Sequence, residues 1–332
     1  MSDIILSRAP IRICDIGGWT DTWFYPNGAV FNMCVDLYSY IRILETKSDN
    51  INIISENLGL KTEIFDFKKI EYDGTLDLLK AVVKKLEINE GIDIYARTEA
   101  PPGCGTGTSA SIAVSLIGAL AKLSNRTFNK DRIAQIAHQL ETEELHLESG
   151  VQDQYAVTYG GINFMEIKYP SVALTPLKIS SKLIYQLESQ MIIIFFGSRS
   201  SSSIHKAVIE NYIQREKQTL ESFEIMKNCA YEMKNAINSN DTNYMGEVMN
   251  TNWKAQKKLH QFMTNPTIAK AEEIARKNGA IGFKLNGAGG GGSATIITEI
   301  GKEFTVRKKL IEYGYQILPA KLDFQGMKTW NV

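Results

Sequence analysis

The sequence has little cysteine and no excess of charge of either sign. Four cysteines, Cys14, Cys34, Cys104 and Cys229, lie far apart in 332 residues without a CxxC pair. Neither a zinc site nor a disulfide framework is therefore indicated. The 37 basic and 37 acidic side chains cancel, so the whole chain has no bulk attraction for nucleic acid or an anionic membrane. We expect neither nucleic acid nor a membrane as a partner.

Long apolar runs are also lacking. The longest, Met191 to Phe196, is far shorter than the roughly 20 residues needed to span a bilayer. The N-terminus, Met1 to Arg8, lacks the basic start and apolar stretch of a signal peptide. The hydrophobic fraction of 44% and the charged fraction of 22% are ordinary for globular proteins, which excludes intrinsic disorder. We therefore expect a soluble, cytoplasmic protein with reduced cysteines.

The length is enough for about two domains of roughly 150 residues each. The first half mixes strand and helix patterns. In the second half no proline occurs from Leu177 to Asn265, which predicts long helices from about Ser203 onward. Prolines and serines cluster between Lys168 and Leu183. We predict two α+β domains, over residues 1–175 and 176–332.

Hydrophobic periodicity predicts the individual elements. The predicted strands are Ser39–Leu44, Ile51–Ser55, Ile92–Arg97, Met191–Phe196, Ile281–Leu285, Ala294–Thr298 and Tyr315–Pro319. The predicted helices are Leu76–Leu86, Ile112–Leu123, Asn129–Leu147 with Asn129 as N-cap, and Glu303–Tyr313.

A glycine-rich loop, Pro101 to Ser111, lies between a predicted strand and a predicted helix. Alternating glycines let backbone N–H groups approach an anion, and the helix N-terminus adds its dipole. The hydroxyls of Thr108 and Ser109 suit phosphate oxygens or an accompanying metal ion. A structural turn and a Rossmann fingerprint starting at Gly105 are the alternatives. The Rossmann interpretation is weakened because no second strand ending in an acid follows about 20 residues later.

Two acidic positions stand out after this loop. Glu141 falls inside the apolar stripe of the helix Asn129–Leu147, where a carboxylate is costly unless it is paired or binds a metal. The alternative is that the helix bends or is partly exposed there. Asp153 lies between Gln152 and Gln154 and could accept the proton of a substrate hydroxyl. The alternative is an ordinary Asx cap.

Three further segments suit ligand binding. Arg12 to Thr22 combines a cation, glycines, an indole, hydroxyls and carboxylates. This set of groups suits the binding of a polyol. The alternative is a strand turn with a core tryptophan. Lys284 to Ser293 is too rich in glycine for a simple hairpin, which indicates close backbone approach to a ligand or another loop. Gly197 to Ser203 is either a flexible linker or a site for a phosphorylated substrate.

Taken in order, three of these motifs resemble the GHMP kinase superfamily of galactokinase, homoserine kinase, mevalonate kinase and phosphomevalonate kinase. Arg12 to Asp21 resembles its first motif, Pro102 to Ala110 its ATP phosphate loop, and Asn286 to Gly291 its third motif. The resemblance covers essentially the whole chain. It implies a ribosomal-S5-like N-terminal domain and a ferredoxin-like C-terminal domain, with the site between them.

Within the superfamily, Gly150 to Tyr155 and Lys284 to Gly292 look most like D-glycero-D-manno-heptose 7-phosphate kinases, and Gly17 to Thr22 is also similar to fucokinases. The resemblance implies ATP-dependent phosphorylation of the heptose 7-phosphate to a 1,7-bisphosphate that feeds nucleotide-activated heptose for surface polysaccharide. The alternatives are a fucokinase-like or other sugar 1-kinase and a non-catalytic sugar and ATP sensor. A Rossmann oxidoreductase is the third alternative.

The resemblance also implies site roles, with a small-molecule sugar as partner and a monomer or homodimer as the assembly. Asp153 would be the base for the anomeric hydroxyl, Arg12 would steady that hydroxyl and the phosphoryl group, and Ser109 and Glu141 would hold Mg²⁺. The expected ATP contacts are Pro102, Gly103, Cys104, Gly105, Thr106, Gly107, Thr108 and Ser109. The expected sugar contacts are Gly17, Gly18, Trp19, Thr20, Asp21, Gln152, Arg199, Ser200, Gly289 and Gly290, with Arg199 and Ser200 as the clamp for a distal phosphate.

Overall fold

A computed structural model describes residues 4–198 and 202–332 and has the mixed α+β content predicted from the sequence. The strands are β1 Ile4–Ile16, β2 Asn27–Glu45, β3 Ile51–Ser55, β4 Leu60–Ile64, β5 Ile92–Thr98, β6 Ile162–Lys168, β7 Ser171–Pro176, β8 Met191–Gly197, β9 Ala280–Leu285, β10 Gly292–Thr298, β11 Gln316–Leu318 and β12 Lys328–Asn331. The helices are α1 Asp77–Lys85, α2 Thr108–Leu123, α3 Lys130–Gln139, α4 Gln152–Tyr159, α5 Ser181–Gln190, α6 Ser202–Ile213, α7 Lys217–Asn238, α8 Thr242–Lys257, α9 Pro266–Lys277 and α10 Glu303–Glu312.

Two sheets organise the chain. The eight-stranded sheet has the order β12-β1-β2-β5-β3-β4, with β6 paired to β2 and β7 paired to β6. Because β2 is 19 residues long, its first part pairs with β6 and its last part with β5. The second sheet has the antiparallel order β11-β8-β10-β9. The division at residues 175 and 176 stays a prediction, and β12 returns from the C-terminal end to pair with β1.

The core is built around α2 and around the junction of the two sheets. Helix α2 is rich in small residues and buries most of its length, so its backbone approaches the first sheet closely enough for Ser111 Oγ to donate to the carbonyl of Ala9 at 2.8 Å. A second apolar cluster includes Phe31 of β2, Met233 of α7 and Ile193 of β8. Residues of the two sheets therefore pack together in this second cluster. Among the described helices, none has the length and apolarity to cross a membrane.

The predicted helix Asn129–Leu147 is wrong in its second half. Asn129 does cap α3, since its side chain accepts from the N–H of Arg132 at 2.8 Å, but α3 ends at Gln139. A π-helical turn, Leu140–Glu144, follows and is closed by a bond from Leu145 N–H to the carbonyl of Leu140. A π turn adds a residue to the helical register, and such turns occur frequently at functional sites. The long helices predicted from about Ser203 onward are confirmed as α6 to α9.

Candidate active site

A cavity of about 190 Å³ lies where the turn after β1, the start of α2, the start of α4, helix α6 and the loop after β9 meet. Its lining residues are Arg12, Asp15, Trp19, Asp21, Thr22, Trp23, Phe24, Ser109, Glu148, Ser149, Gly150, Gln152, Asp153, His205, Ile209, Gly287 and Ala288. The lining therefore brings together residues from the three glycine-rich motifs.

The glycine loop before α2 has the geometry of an anion cradle. Gly103, Gly105 and Gly107 have φ of 71°, 76° and 70°, a left-handed backbone that only glycine adopts without cost. Gly107 is the N-cap of α2, and no side chain caps this helix end. The free N–H groups of the first turn are thus left for a ligand, and the helix dipole favours an anion there. Cys104 and Thr106 are buried beneath the loop, while Pro102 and Ser109 are exposed.

Arg12 and Asp153 form a two-pronged ion pair next to this loop. Arg12 Nε donates to Asp153 Oδ1 at 2.7 Å and Nη2 donates to Oδ2 at 2.9 Å. Arg12 Nη1 also donates to the carbonyl of Gly105, and the Arg12 backbone N–H donates to the carbonyl of Thr106 at 3.0 Å. A Cβ placed on Gly107 would lie 3.2 Å from Asp153 Oδ2. The pair is therefore held directly against the anion cradle.

The charges around Arg12 shift two pKa values. Burial lowers the pKa of Arg12, but the carboxylates of Asp153, Asp15 and Asp21 outweigh it, so the net pKa is raised. Burial, together with the charge of Asp153, raises the pKa of Asp21 to about 6, although the backbone N–H of Gln152 and the charge of Arg12 oppose the shift. The cavity is thus an acidic pocket with one tightly held guanidinium.

Glu141 lies behind Ser109 and is buried, as its place in the apolar stripe predicts. Its Oε2 accepts from Ser149 Oγ at 2.6 Å and from Gln154 Nε2 at 2.7 Å, and the Ser109 hydroxyl is a further donor. Burial raises the pKa of Glu141 despite these bonds. A cation beside the carboxylate would offset that burial cost.

A carboxylate and a hydroxyl are oxygen donors of the kind that Mg²⁺ prefers. Within residues 4–198 and 202–332 there is no group of three or more His, Cys, Asp or Glu side chains that could hold a metal ion. Ser109 and Glu141 are two oxygen donors, and a Mg²⁺ that also binds substrate phosphates commonly has one or two protein ligands.

The turn after β1 places several predicted sugar contacts on the cavity wall. Trp19, Asp21 and Gln152 line it, and the indole N–H of Trp19 has no acceptor among the described residues. Thr20 instead points into the turn, where its hydroxyl donates to the carbonyl of Gly17 at 2.7 Å. Gly17 and Gly18 allow the tight turn, because a Cβ on Gly18 would lie 2.7 Å from Asp15 Oδ2.

The third glycine-rich loop packs against the anion cradle. Ser293 Oγ donates to the carbonyl of Cys104 at 2.8 Å, and a Cβ on Gly292 would lie 2.6 Å from that same oxygen. Asn286 links the loop to the first motif by accepting from the backbone N–H of Cys14 at 2.9 Å. The predicted close approach to another loop is confirmed, and the approach to a ligand stays a prediction.

Two of the predicted sugar contacts are not among the residues that line the cavity. Gly289 and Gly290 pack against Met263, and Gly287 and Ala288 of the same loop line the cavity instead. Arg199 and Ser200 fall outside the described residues.

Sequence reasoning missed several lining residues, including Trp23, Glu148 and His205, and it included Asp15 only as part of the segment Arg12 to Thr22. Trp23 and Glu148 form a pair on the rim, with Trp23 Nε1 donating to Glu148 Oε2 at 2.7 Å. Trp23 and Glu148 lie close in sequence to the Thr-Asp and Gly150 motifs, which was the only available signal, and His205 had no such signal.

A helix N-terminus with an open anion cradle beside an arginine–aspartate pair suits phosphoryl transfer, which depends on positioning and on stabilisation of charge. The chain belongs to the GHMP kinase family, because residues 76–161 match the GHMP kinases N terminal domain and residues 233–316 match the GHMP kinases C terminal domain.

Two curated relatives and one solved structure show what the chain resembles. It is 27% identical to the D-glycero-alpha-D-manno-heptose 7-phosphate kinase of Campylobacter jejuni over 99% of both chains. It is 27% identical to the bifunctional fucokinase/GDP-fucose pyrophosphorylase of Arabidopsis thaliana, over 92% of this chain and 31% of that protein. The crystal structure of a D-glycero-D-manno-heptose 1-phosphate kinase from Bacteroides thetaiotaomicron has the same fold, with a TM-score of 0.82, 24% identity and 99% coverage of both chains.

Proposed function

We propose that this protein is a sugar 1-kinase that transfers the γ-phosphoryl group of ATP to the anomeric hydroxyl of D-glycero-D-manno-heptose 7-phosphate. The observation that carries the proposal is the Arg12–Asp153 pair held against Gly107 of the anion cradle. The full-length similarity to the Campylobacter jejuni heptose 7-phosphate kinase supports the choice of sugar. Supply of a heptose 1,7-bisphosphate for nucleotide-activated heptose follows as part of the same proposal.

Asp153 is the proposed proton acceptor. Its carboxylate lines the cavity and is oriented by two bonds from Arg12, so an incoming hydroxyl would meet an acceptor of fixed direction. The hydroxyl proton passes to Asp153, the sugar oxygen forms a bond to the γ-phosphorus, and the bond from that phosphorus to the ADP oxygen breaks. Arg12 stabilises the negative charge on the transferring group.

The donor side of the reaction uses the glycine loop. Among the expected ATP contacts, Pro102 to Ser109, the backbone N–H groups at the start of α2 would donate to the phosphates, while Pro102 has no N–H to donate. Ser109 and Glu141 are the proposed protein contacts of Mg²⁺, because they bring a hydroxyl and a buried carboxylate together beside that helix end. When bound, Mg²⁺ neutralises charge on the phosphates.

The fucokinase-like alternative is favoured by one specific feature. The Gly17 to Thr22 segment, with Trp19 on the cavity wall, is similar to fucokinases, and the Arabidopsis thaliana relative is a bifunctional fucokinase. An unphosphorylated sugar would have no need of a distal clamp, so Arg199 tests the difference. We expect Arg199→Ala to raise the KM for heptose 7-phosphate and leave the KM for ATP unchanged.

A substrate panel tests the proposal. Purified protein with ATP and Mg²⁺ is offered heptose 7-phosphate, fucose, galactose and mevalonate, and ADP formation is followed for each. We expect turnover with heptose 7-phosphate, and phosphorus NMR of the product should place the new phosphate on the anomeric carbon. Turnover with fucose alone would establish the alternative. ATP and sugar binding without ADP formation would establish the sensor.

A further inference from the structure

Lys284 carries a buried charge near the C-terminal end of β9. Its side chain is 0% exposed, and its Nζ lies 3.6 Å from Oδ1 of Asp15, which is itself 3% exposed. The same ammonium donates to the carbonyl of Leu285. Taking an ammonium out of water costs several kcal/mol unless a partner compensates it. Asp15 is that partner, and the ion pair joins the first glycine-rich motif to the third.

Asp15 is fixed on one side and open on the other. Its Oδ1 receives both Lys284 and the backbone N–H of Gly287, the latter at 2.9 Å. Its Oδ2 accepts no hydrogen bond from the residues that the structure describes, and the side chain lines the cavity. Gly18 leaves this oxygen uncovered, because a Cβ there would lie 2.7 Å from Oδ2. An oriented acceptor therefore faces the sugar site.

We propose that Asp15 recognises a non-reacting hydroxyl of the sugar through Oδ2, and that Lys284 is a positioning residue that holds Asp15 in place. The proposal rests on the sugar kinase function proposed above. A carboxylate oxygen accepts hydrogen bonds and repels a phosphate, so its ligand is a hydroxyl and not the phosphorylated end of the substrate. A site built around such a bond discriminates strongly against an analogue that lacks the hydroxyl.

The test combines an enzyme variant with deoxy analogues of the accepted sugar. Asp15→Asn keeps the size of the side chain and removes the charge, and we expect it to raise the KM for sugar ~10-fold or more, since hydrogen bonds to charged groups are stronger than those between neutral groups. The KM for ATP should stay within a factor of about two. The wild-type KM should rise by a similar factor with the deoxy analogue that lacks the recognised hydroxyl. The KM of Asp15→Asn should rise little further with that analogue.

Lys284→Met tests the positioning role. We expect the sugar KM to rise and the ATP KM to stay, as in Asp15→Asn. If this variant fails to fold because it leaves Asp15 buried without a partner, the double variant Asp15→Asn/Lys284→Met removes both charges and takes its place. Asp323→Asn is the matched control, because Asp323 is a buried carboxylate that accepts from Tyr38 Oη at 2.9 Å and does not line the cavity.

The outcomes separate the two proposals. No turnover of any panel sugar by the wild type would overturn the proposed function. Normal wild-type turnover with an unchanged sugar KM in folded Asp15→Asn would overturn only the role of Asp15. A parallel rise of the KM for sugar and for ATP in the Asp15 and Lys284 variants, matched by Asp323→Asn, would show that the pair is purely structural.

Discussion

The carboxylate of Asp21 accepts a hydrogen bond, 3.1 Å long, from the backbone N–H of Gln152. Gln152 is the first residue of α4, and the next residue is Asp153. Gly150 permits the contact, since a Cβ there would lie 2.0 Å from Asp21 Oδ2. The turn after β1 is thus docked on the start of the helix that carries the proposed base. The direction of Asp153 depends on both segments.

Asp153→Asn tests the proposed base. The amide keeps the shape of the side chain but cannot accept the hydroxyl proton, so we expect kcat to fall by ~10²–10⁴. ATP affinity, measured by calorimetry, should remain, because the anion cradle is made of backbone N–H groups. Asp131→Asn, which changes a carboxylate on α3 that pairs with Tyr159, is the control and should keep normal turnover. A near-normal kcat in Asp153→Asn would contradict the assignment of Asp153 as the base.

Glu141→Gln tests the metal contact. We expect the Mg²⁺ concentration for half-maximal activity to rise by ~10–100-fold, because a carboxylate proposed to bind or orient the ion is replaced by a neutral amide. Titration of activity with Mg²⁺ at saturating ATP measures the shift.

Glu144→Gln is the matched control for this change. Glu144 lies in the same π turn but accepts from Lys84 Nζ at 2.7 Å and Tyr72 Oη at 2.6 Å. Glu144→Gln should leave the Mg²⁺ dependence of activity unchanged. Equal Mg²⁺ curves for wild type and Glu141→Gln would rule Glu141 out.

Gly107→Ala tests how closely the anion cradle must approach the ion pair. Gly107 has φ of 70°, and an added Cβ would contact Asp153 Oδ2 at 3.2 Å. Gly59 has a similar φ of 62° with nothing within 4 Å. Both alanine variants should lose ~1 kcal/mol in urea unfolding from backbone strain. Only Gly107→Ala should lose turnover, by ~10-fold or more, through displacement of Asp153. Equal kcat values in the two variants would contradict this.

Two buried groups should give opposite pH dependences of stability. The folded-state pKa of Asp21 is raised from 3.8 to about 6, first by burial, so folding binds a proton and stability falls as pH rises from about 4 to 6. Burial lowers the pKa of His138 from 6.5 to about 4, so the unfolded chain binds the proton and stability rises over nearly the same range. Each shift changes the free energy of unfolding by ~3 kcal/mol over this pH range. In the wild type the two changes have opposite signs, so their sum is close to zero.

Single variants separate the two contributions. In the unliganded protein, Asp21→Asn leaves the His138 contribution, and its unfolding free energy should rise from pH 4.5 to 7 relative to wild type. His138→Gln leaves the Asp21 contribution and should show the reverse. Urea unfolding at several pH values measures both slopes. Parallel curves for wild type and both variants would mean that neither group has a shifted pKa in the folded protein.

Local sequence signals predicted the anion cradle and the burial of Glu141. The glycine spacing at Gly103 to Gly107 needs no distant partner to be recognised, and the apolar stripe of α3 points inward through Ile133 and Ala137 to Glu141. The π turn was missed because a one-residue shift of register, confined to the five residues Leu140–Glu144, is too short to alter the hydrophobic periodicity.

Long-range relationships were the part that the sequence did not reveal. Strand β1 contains Pro10 and Arg12, which break the strand pattern, and the structure accommodates them with a shift of register after Pro10 and an ion pair at Arg12. In the sequence, Lys284 has the pattern of an ordinary polar position in a strand. Its partner Asp15 lies at the other end of the chain, and only the packing of the third loop on the first brings the two together.

The bracing of the third loop on the anion cradle has a consequence for how this enzyme can be changed. The contacts run from Gly292 and Ser293 to the carbonyl of Cys104, so one half of the interface is main chain. Side chains on the rim of the cavity, such as Trp23 and Glu148, take no part in these contacts and can be exchanged without loosening this frame. A directed-evolution library that holds the glycines constant and randomises those rim residues should therefore alter sugar preference while ATP use is retained.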